Sequence, residues 1–427
     1  MSAFVDAFRS KRVGLLVALG FASGLPLALT GTTLSAWMTN EGVDLKTIGL
    51  FGLVALPYNF KFVWAPLFDR FVVPWLGRRR GWMACTQLGL VGAIAVMGGV
   101  NPRAAPFALA ALAVLVAFLS ASQDIVSDAY RTDVLPETER ASGTATFVLG
   151  YRAAMLVSGA FALILSARLP WQLVYWVMAA LMAVGVAASW VAPEPETVRP
   201  PRTLGAAVVE PFVDYFARRG ALVTLAFIAL YKLGDSLASG MITPFLLKTG
   251  FGNAEVGALQ KGLGLGATIV GTLLGGGLVA KLGVRRSLLW FGVAQAATNV
   301  TYMALALVGK SYWVLAGAIT VDNVCGGLGT AAFVAYLMSL CNRRFSATQY
   351  ALLSSASTVA GRLIGASAGF AAERFGWPVF FGGTIAAAAP ALLLLVLAMP
   401  DGTGAPPPPP PVDSGPAAAQ EKDPAPA

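Results

Sequence analysis

The sequence contains no histidine, only three cysteines and little charge. Aspartate, glutamate, lysine and arginine make up 12% of its 427 residues, about half of the roughly 25% found in soluble domains. Without histidine, an imidazole can neither relay protons nor sense pH. Cys85, Cys325 and Cys341 lie far apart and form no Cys-x-x-Cys pair, so the sequence predicts neither a disulfide framework nor a metal site.

Motifs typical of enzymes and nucleotide-binding proteins are missing as well. The chain has no Walker motif, no nucleophile elbow and no His-Glu-x-x-His motif. Gly262, Gly264 and Gly266 form a GxGxG string in an apolar stretch without a preceding strand, which favours close helix packing over phosphate binding. We therefore expect no cofactor, no enzymatic activity and no transport driven by ATP.

The chain is instead rich in apolar sequence. Hydrophobic residues make up 57% of it, and apolar runs of about 20 residues recur, each long enough to cross a hydrocarbon layer of about 30 Å. The composition predicts an all-α polytopic membrane protein with the lipid bilayer as its surroundings. The net charge is +9, but the basic residues are spread over short loops and form no patch for nucleic acid.

The apolar runs predict twelve transmembrane helices, six in each half of the chain. The predicted spans are 14–38, 47–68, 82–100, 106–131, 143–167, 171–192, 221–247, 256–280, 287–308, 312–340, 347–371 and 377–399. The predicted domains are an N-terminal six-helix bundle (1–192), a central cytoplasmic loop (193–220), a C-terminal six-helix bundle (221–399) and a disordered Pro-rich cytoplasmic tail (400–427).

Lysine and arginine residues favour one orientation of these spans. With both termini in the cytoplasm, nineteen of the 30 lysine and arginine residues fall in cytoplasmic segments and six on the opposite side, while the rest lie within spans. Basic residues accumulate in cytoplasmic loops of membrane proteins. We therefore expect both termini to be cytoplasmic.

Two loops that lie six spans apart share a pattern. "WAPLFDRFVVPWLGRRRGW" follows span two and "GGGLVAKLGVRRSLLW" follows span eight, and each passes through a tight turn at Gly77 or Gly283 into consecutive arginines. The offset predicts two parallel six-helix halves, and the first loop resembles the loop signature of the major facilitator superfamily. The resemblance implies a gating role for Asp69, Arg70, Arg78 and Arg79. The second loop has Lys281 in place of Asp69, so a matching charge latch in the C-terminal half is not expected.

Longer segments sharpen this resemblance. They include "LGFASGLPLALTGTTLSAWM", "FKFVWAPLFDRF", "ASQDIVSDAYRTDVLP", "LGYRAAMLVSG", "LYKLGDSLA", "DNVCGGLGTAAFVAYLMSLCN" and "FSATQYALLSS". Together, from about residue 13 to 399, they resemble the AmpG-like muropeptide permeases within the major facilitator superfamily. The resemblance implies a bacterial inner-membrane protein that imports anhydro-muropeptides from the periplasm to the cytoplasm during cell-wall recycling.

Span four carries charges that a membrane helix normally excludes. At 100° per residue, Asp124, Asp128 and Arg131 lie on one helix face. A lone charge in the bilayer costs at least about 2.5–3.5 kcal/mol, so this face should line a wet interior. Two neighbouring carboxylates favour a proton on one of them, and Asp124 and Asp128 are therefore the candidate proton-coupling residues. Alternatively, these residues line the mouth of span four and Arg131 neutralises Asp128 and Asp133.

Other polar and aromatic side chains in the spans are candidates for substrate binding. They are Lys61, Gln123, Tyr151, Arg152, Tyr231, Lys232, Asp235, Asp322, Asn323 and Arg362. Arg152 or Lys232 can hold a peptide carboxylate by charge-assisted hydrogen bonds, while Gln123 and Asn323 suit sugar hydroxyls and amides. Alternatively, Lys232 and Asp235 form an ion pair with each other, and the aromatic residues serve in packing.

These features predict a monomeric proton-coupled secondary transporter for a small glycopeptide, with two halves that rock about a central cavity. Three alternatives stay open at this point. The same fold can carry another organic anion, such as an acyl-CoA or a sugar-peptide conjugate. An integral-membrane enzyme acting on a lipid needs a nucleophile or metal cluster, and the sequence has no recognisable one. A sensor that transports nothing does not require so many ionisable groups at membrane depth.

Overall fold

The computed structural model describes residues 11–43, 47, 51–74, 76–195, 201, 203–252, 255–256, 259–365 and 368–399. The first half contains α1 (Lys11–Leu29), α2 (Thr32–Asn40), α3 (Leu56–Phe60), α4 (Ala65–Arg70), α5 (Arg78–Gly98), α6 (Pro106–Val134), α7 (Arg140–Leu156), α8 (Ala162–Ser166) and α9 (Trp171–Val191). α10 (Leu204–Phe216) connects it to α11 (Ala221–Tyr231), α12 (Leu233–Lys248), α13 (Gly264–Leu282), α14 (Val284–Val308), α15 (Tyr312–Ser339), α16 (Ser346–Gly365), α17 (Ala368–Phe375) and α18 (Trp377–Leu393). The predicted tail, 400–427, lies outside the described residues.

Ten helical stretches of the described chain are long and apolar enough to cross a membrane. They correspond to every predicted span except 47–68 and 347–371, so the polytopic all-α prediction is confirmed. The total of twelve stays a prediction, because the helices at these two places are shorter or more polar than the other ten.

The second predicted span is broken into short pieces. From Phe51 onwards it consists of a 3₁₀ turn at Phe51–Ala55, then α3, a second 3₁₀ turn at Lys61–Val63, and α4. Pro57 and Pro66 stand in the first turns of α3 and α4, where the missing N–H and fixed φ of proline suit a helix start but not a helix interior. The breaks place Lys61 on an irregular stretch beside α6.

The seventh predicted span is interrupted at a charged residue. α11 ends at Tyr231 and α12 begins at Leu233, while Lys232 between them has φ −97° and ψ 6°. Interrupted helices at membrane depth are typical of binding sites in secondary transporters. This break therefore points to Lys232 as a functional position.

Glycines allow helices within each half to pack in close contact. A Cβ on Gly150 of α7 would lie 1.9 Å from the carbonyl oxygen of Val17 in α1. In the other half, a Cβ on Gly271 of α13 would lie 2.1 Å from the carbonyl oxygen of Val324 in α15. Only glycine fits such approaches, which are typical of membrane helix pairs.

The predicted packing role of the GxGxG string is only partly confirmed. A Cβ on Gly264 would lie 3.2 Å from the amide nitrogen of Asn323, whereas a Cβ on Gly262 or Gly266 would have no atom within 4 Å. The close contacts of this span come later in the sequence, from Gly271 onwards. The close packing of this helix therefore begins one to two turns after the position that the glycine spacing predicted.

The apolar cores show where the two halves meet. We call the end that carries the loops 71–77, 135–139 and 340–345 the arginine-rich end. There, Ala347 and Ala351 of α16 join a core of the first half, and Ala141 of α7 joins a core of the second. At the opposite end, each described core contains residues of one half only. The halves are thus packed together at the arginine-rich end.

Candidate functional site

A buried carboxylate joins the two halves at the arginine-rich end. Asp69 is 0% exposed and accepts hydrogen bonds from the backbone N–H of Ala347 at 3.3 Å and of Thr348 at 2.8 Å, and from the Thr348 hydroxyl at 2.7 Å. These N–H groups belong to the first turn of α16, where a helix favours a negative charge. Asp69 therefore joins the two halves by capping a helix of the other half.

Arg79 binds the same carboxylate, and we call Asp69 and Arg79, together with the α16 residues that they contact, the latch. Its guanidinium, 1% exposed, donates to Asp69 at 2.9 Å, to Asp133 at 2.7 Å and to the Ser346 hydroxyl at 2.5 Å. The alternative that Arg131 neutralises Asp133 is wrong, because Asp133 pairs with Arg79 and, at 3.5 Å, with Arg78. The buried charges thus sit in one network that spans both halves.

Arg78 and Arg70, the other two residues with a predicted gating role, make different contacts. Arg78 donates to the carbonyl oxygens of Arg343 at 2.8 Å and Arg344 at 3.3 Å in the other half. Arg70 only lies over the ring of Phe71, with its guanidinium carbon 5.4 Å from the centroid. In this conformation the structure brings Asp69, Arg78 and Arg79 together but leaves Arg70 outside the latch.

No second charge latch was expected in the C-terminal half, because Lys281 stands there in place of Asp69. The linker helix α10 instead provides a second set of contacts. Asp214 of α10 pairs with Arg218 and accepts from Gln349 at 2.8 Å and Asn342 at 3.1 Å. Partial burial raises the pKa of Asp214, but the hydrogen bonds from Gln349 and Arg218 and the charge of Arg218 outweigh it and bring the pKa below its ordinary value. Asp214 therefore anchors the connection between α15 and α16 from the side opposite Asp69.

One charged cluster lies inside the first half, and we call Lys61, Asp124, Asp128 and Arg131 the N-terminal cluster. As predicted, the last three share one helix, α6. Asp128 pairs with Arg131 and, at 3.5 Å, with Lys61. Half-buried Asp124 has no cation within 4 Å among the described residues, although Lys61 and Arg131 act on it from further away, and Ser23 is its hydrogen-bonding neighbour.

Arg152 has no acidic partner among the described residues. It lies near the middle of the helical stretch Glu137–Ser166, it makes only a 4.0 Å contact with the sulfur of Met155, and its Nε is buried without a hydrogen-bond partner. Ala145, seven residues earlier, faces Gly276 of α13. Two helical turns return to nearly the same face, so Arg152 faces the other half.

A second charged cluster lies in the other half, and we call Lys232, Asp235, Gln295 and Asp322 the C-terminal cluster. Lys232 pairs with Asp235 at 3.6 Å, as the ion-pair alternative stated. The side chain of Asp235 remains 33% exposed and that of Lys232 21%, so both reach solvent. A small cavity of about 20 Å³ adjoins the cluster.

Three predicted substrate-binding residues bond to neighbouring protein groups in this conformation. Gln123 is 0% exposed and lies 3.5 Å from the hydroxyl of Ser23, so it cannot touch cargo in this conformation. The amide of Asn323 bonds to the carbonyl of Ile319 at 2.8 Å and to the Thr268 hydroxyl at 2.9 Å, which occupies both of its polar groups.

Tyr231 also contacts neighbouring helices, whereas Tyr151 lies beside charged residues. The Tyr231 hydroxyl donates to the carbonyl of Leu288 at 2.9 Å, and its ring stacks on Phe333. Tyr151 is half-buried beside Asp124 and Arg152, a position that fits its predicted role. The side chain of Arg362 lies outside the described part of the chain.

Some functional positions escaped sequence reasoning although a signal was present. Gln295, Thr298 and Tyr302 of α14 all donate to Asp322, and their spacing of three and four residues marks one polar stripe on the helix. The i,i+4 pair of Asp214 and Arg218 was similarly visible in "DYFAR".

Two helical halves that are sealed together at one end, with charged clusters inside each half, define a membrane transporter of the two-bundle type. The family model described as Major Facilitator Superfamily matches residues 16–366 and 228–426. The chain belongs to the major facilitator superfamily, which confirms the prediction of a membrane transporter and excludes the enzyme alternative.

Relatives support the narrower resemblance. The anhydromuropeptide permease of Escherichia coli strain K12 is 51% identical over 389 residues, which cover 90% of this chain and 79% of the relative. The putative transporter AmpG 4 of Rickettsia felis is 34% identical over 385 residues, which cover 88% of this chain and 93% of the relative.

Solved structures show the same fold at low sequence identity. The proton:xylose symporter XylE bound to 6-bromo-6-deoxy-D-glucose has a TM-score of 0.71 at 9% identity, covering 95% of this chain and 98% of that chain. The human organic anion transporter MFSD10 has a TM-score of 0.64 at 16% identity, covering 92% of this chain and 98% of that chain.

Proposed function

We propose that this protein imports anhydro-muropeptides across the bacterial inner membrane, in symport with protons, for cell-wall recycling. The 51% identity to an anhydromuropeptide permease supports this class of cargo. Such glycopeptides present peptide carboxylates together with sugar hydroxyls and amides. A site for them needs at least one cation for the carboxylates and several neutral or acidic hydrogen-bonding groups.

The observation that carries the proposal is Arg152. A guanidinium at membrane depth with no acidic partner among the described residues is costly, and it faces the other half of the molecule. A carboxylate on the cargo neutralises it through charge-assisted hydrogen bonds. Arg152 therefore binds the peptide carboxylate, with half-buried Tyr151 beside it.

The C-terminal cluster supplies the remaining cargo contacts. The Lys232–Asp235 pair is still partly exposed, so it presents both a donor and an acceptor to solvent. Asp235 accepts from sugar hydroxyls or amide N–H groups, while Lys232 donates to carbonyl oxygens. The cargo thus bridges the two halves, which lets its binding influence their relative position.

Asp124 carries the coupled proton in the N-terminal cluster. Asp128 is committed to ion pairs with Lys61 and Arg131, and protonating it leaves two cations uncompensated. Asp124 has no such pair among the described residues, and its half-buried position makes an unneutralised charge costly. We therefore assign the proton to Asp124 and a structural role to Asp128.

The arginine-rich end is the cytoplasmic end in this proposal, with both termini on that side, as the distribution of basic residues favours. The structure then represents a state sealed towards the cytoplasm, in which cargo and protons load from the periplasm. Opening requires the Asp69–Arg79 latch to release α16. One chain contains both halves, so the transporter works as a monomer.

Uptake into proteoliposomes tests the proposal. Radiolabelled anhydro-disaccharide peptide should accumulate in vesicles with an alkaline interior, and a protonophore should abolish accumulation. Asp124→Asn should lose this accumulation but keep exchange of labelled for unlabelled cargo, because exchange requires no net proton movement. Wild-type accumulation in Asp124→Asn excludes this residue as the carrier of the coupled proton.

The same vesicles distinguish an anhydro-muropeptide cargo from the alternative, another organic anion. If the protein carries another organic anion, excess acetyl-CoA should compete with the glycopeptide, whereas a muropeptide permease should be inhibited only by unlabelled anhydro-muropeptide. No uptake of glycopeptide by well-folded protein under any gradient rules out the proposed function.

A further inference from the structure

The C-terminal cluster contains two carboxylates that share one amide group. Nε2 of Gln295 donates to Oδ1 of Asp235 at 3.2 Å and to Oδ1 of Asp322 at 3.0 Å. Asp322 also accepts from the hydroxyls of Thr298 at 2.9 Å and Tyr302 at 3.3 Å. Three helical segments, α12, α14 and α15, thus converge on two acids.

The charges of this cluster do not balance when both acids are ionised. Lys232 pairs with Asp235, and Asp322 has no cation within 4 Å among the described residues. The other titratable groups that face Asp322 are Tyr302 of α14 and Cys325 of α15, and neither is a cation; the side chain of Arg362 is not described. Ionised Asp322 therefore leaves one net negative charge near the middle of α15, which a membrane environment disfavours.

Gln295 shows that the cluster also lacks one hydrogen-bond donor. Its Oε1 is buried and has no hydrogen-bond partner, and a buried unpaired acceptor costs about 1–3 kcal/mol. If the amide turns over, Oε1 faces both carboxylates, and it then needs a proton on one of them to accept. The charge imbalance and the missing donor are both removed by the same addition, a single proton.

A proton can reach this position. The cavity of about 20 Å³ is lined by Lys232, Asp235 and Gln295, which is room for about one water molecule. Asp235 is 33% exposed and lies between solvent and Gln295. A proton that enters from solvent through Asp235 is therefore one shared amide away from Asp322, and turning over the Gln295 amide lets its Oε1 accept a hydrogen bond from whichever acid holds the proton.

We propose that Asp322, bridged to Asp235 through Gln295, is a second proton-binding site, located in the C-terminal half. This inference rests on the proposed proton-coupled import and adds to it a second protonatable centre. With the proton bound, Lys232 and Asp235 balance each other and the cluster is neutral. Loss of the proton leaves the cluster negatively charged.

Transport measurements test the role of this site. A pH gradient of about one unit supports about tenfold accumulation for each coupled proton. Asp322→Asn, which keeps the shape of the side chain, should therefore lower the steady-state accumulation ratio about tenfold or more while exchange of labelled for unlabelled cargo continues. As a matched control, Glu255→Gln, which neutralises an acid between α12 and α13 that pairs with Lys310, should leave both activities unchanged.

Three outcomes of this experiment overturn the inference. Accumulation by Asp322→Asn at the wild-type level shows that no coupled proton resides there. Loss of exchange together with accumulation, in a variant that remains folded, assigns Asp322 to cargo binding instead. Replacing Gln295 with Leu should also lower accumulation and spare exchange, and a wild-type accumulation ratio in that variant removes the proposed bridge.

A measurement without cargo separates this inference from the proposed function. Difference infrared spectroscopy of the purified protein across a pH titration should show a protonated carboxyl band that is lost in Asp322→Asn and retained in Asp124→Asn. Absence of such a difference overturns the second site whatever the cargo is. If the band is present but wild-type vesicles accumulate no glycopeptide, the proposed function fails and the protonatable site stands.

Discussion

At the residue scale, three intramembrane charges have no opposite charge within 4 Å among the described residues: Arg152, Asp124 and Asp322. Other charges of the two clusters are paired, as with Lys61 and Asp128 or Lys232 and Asp235. Unpaired charges at membrane depth mark positions where the transported species supply the counterpart. Under the proposed function, one cation and two acids correspond to one anionic cargo and two protons.

Replacing Arg152 with Gln should raise the KM for anhydro-muropeptide about tenfold or more, because a hydrogen bond to a charged group contributes about 1.5–3 kcal/mol. A cargo whose peptide carboxylate is amidated should bind wild-type protein equally weakly and lose nothing further in the variant. Initial uptake rates over a range of cargo concentrations measure this. Arg168→Gln, in the exposed turn after α8, is the matched control, and an unchanged KM in Arg152→Gln contradicts the assignment.

Asp214 provides a pH-dependent prediction outside the membrane helices. Its pKa in the folded protein is below the ordinary value, so its ionised form stabilises the fold fully above about pH 4. That stabilisation declines as the pH falls through the lower pKa of the folded state. The difference in Tm between wild type and Asp214→Asn should therefore shrink between about pH 6 and about pH 3, and a constant difference contradicts the ion pair with Arg218.

Single residues were predictable where their helix determined their neighbours. Asp128 and Arg131, three residues apart on α6, pair as their spacing predicts, and so do Lys232 and Asp235. Asp133 was assigned to Arg131, but it pairs with Arg79 from another helix. Gln123 was placed on the correct helix but faces Ser23 of α1, because helical spacing does not show which neighbour a face contacts.

At the scale of elements, the N-terminus of α16 is the part that the latch holds. Asp69 accepts its backbone N–H groups, Arg79 binds Ser346 at its first position, and Asp214 binds the preceding connection through Asn342. The first half and the linker helix thus both bind this same short segment. We therefore expect movement of α16 away from α4 to open the arginine-rich end.

Asp69→Asn should open this end. Breaking a buried ion pair costs roughly 3–5 kcal/mol, which corresponds to about a hundredfold or larger shift in favour of the open state. Cys341 is a natural reporter, because it is 5% exposed next to the latched segment. In a chain with Cys85 and Cys325 replaced by Ser, maleimide should label Cys341 faster in Asp69→Asn than in its parent.

The control for this labelling is Glu137→Gln, an equivalent change on an exposed residue at the same end. Its labelling rate should equal that of the parent. Equal rates in the parent and in Asp69→Asn would show that Asp69 does not hold the gate closed.

Elements were predictable to different degrees. Long apolar runs such as Pro106–Val134 were located closely, because length and hydropathy alone define them. The breaks in span two were readable from Pro57 and Pro66, although the span was predicted as one segment. The partner of Asp69 was not predictable, because the N-terminus of α16 is nearly three hundred residues away in the sequence and only the packing of the two halves brings it close.

At the scale of the whole molecule, the two halves share apolar cores at the arginine-rich end and keep separate cores at the opposite end, within the described residues. The loop repeat predicted two halves, and both turn glycines adopt positive φ, +86° at Gly77 and +81° at Gly283. It did not predict which end is closed, since the same sequence must form both closures during a transport cycle.

The central claim, that cargo and protons cross together, is tested most directly by measuring both in one vesicle preparation. With no gradient imposed, anhydro-muropeptide added outside vesicles that contain the protein should enter, and the external medium should become more alkaline as protons follow. Asp124→Asn vesicles loaded beforehand with unlabelled cargo should exchange it for labelled cargo without any such pH change. Entry of cargo into wild-type vesicles with no movement of protons would contradict proton-coupled import.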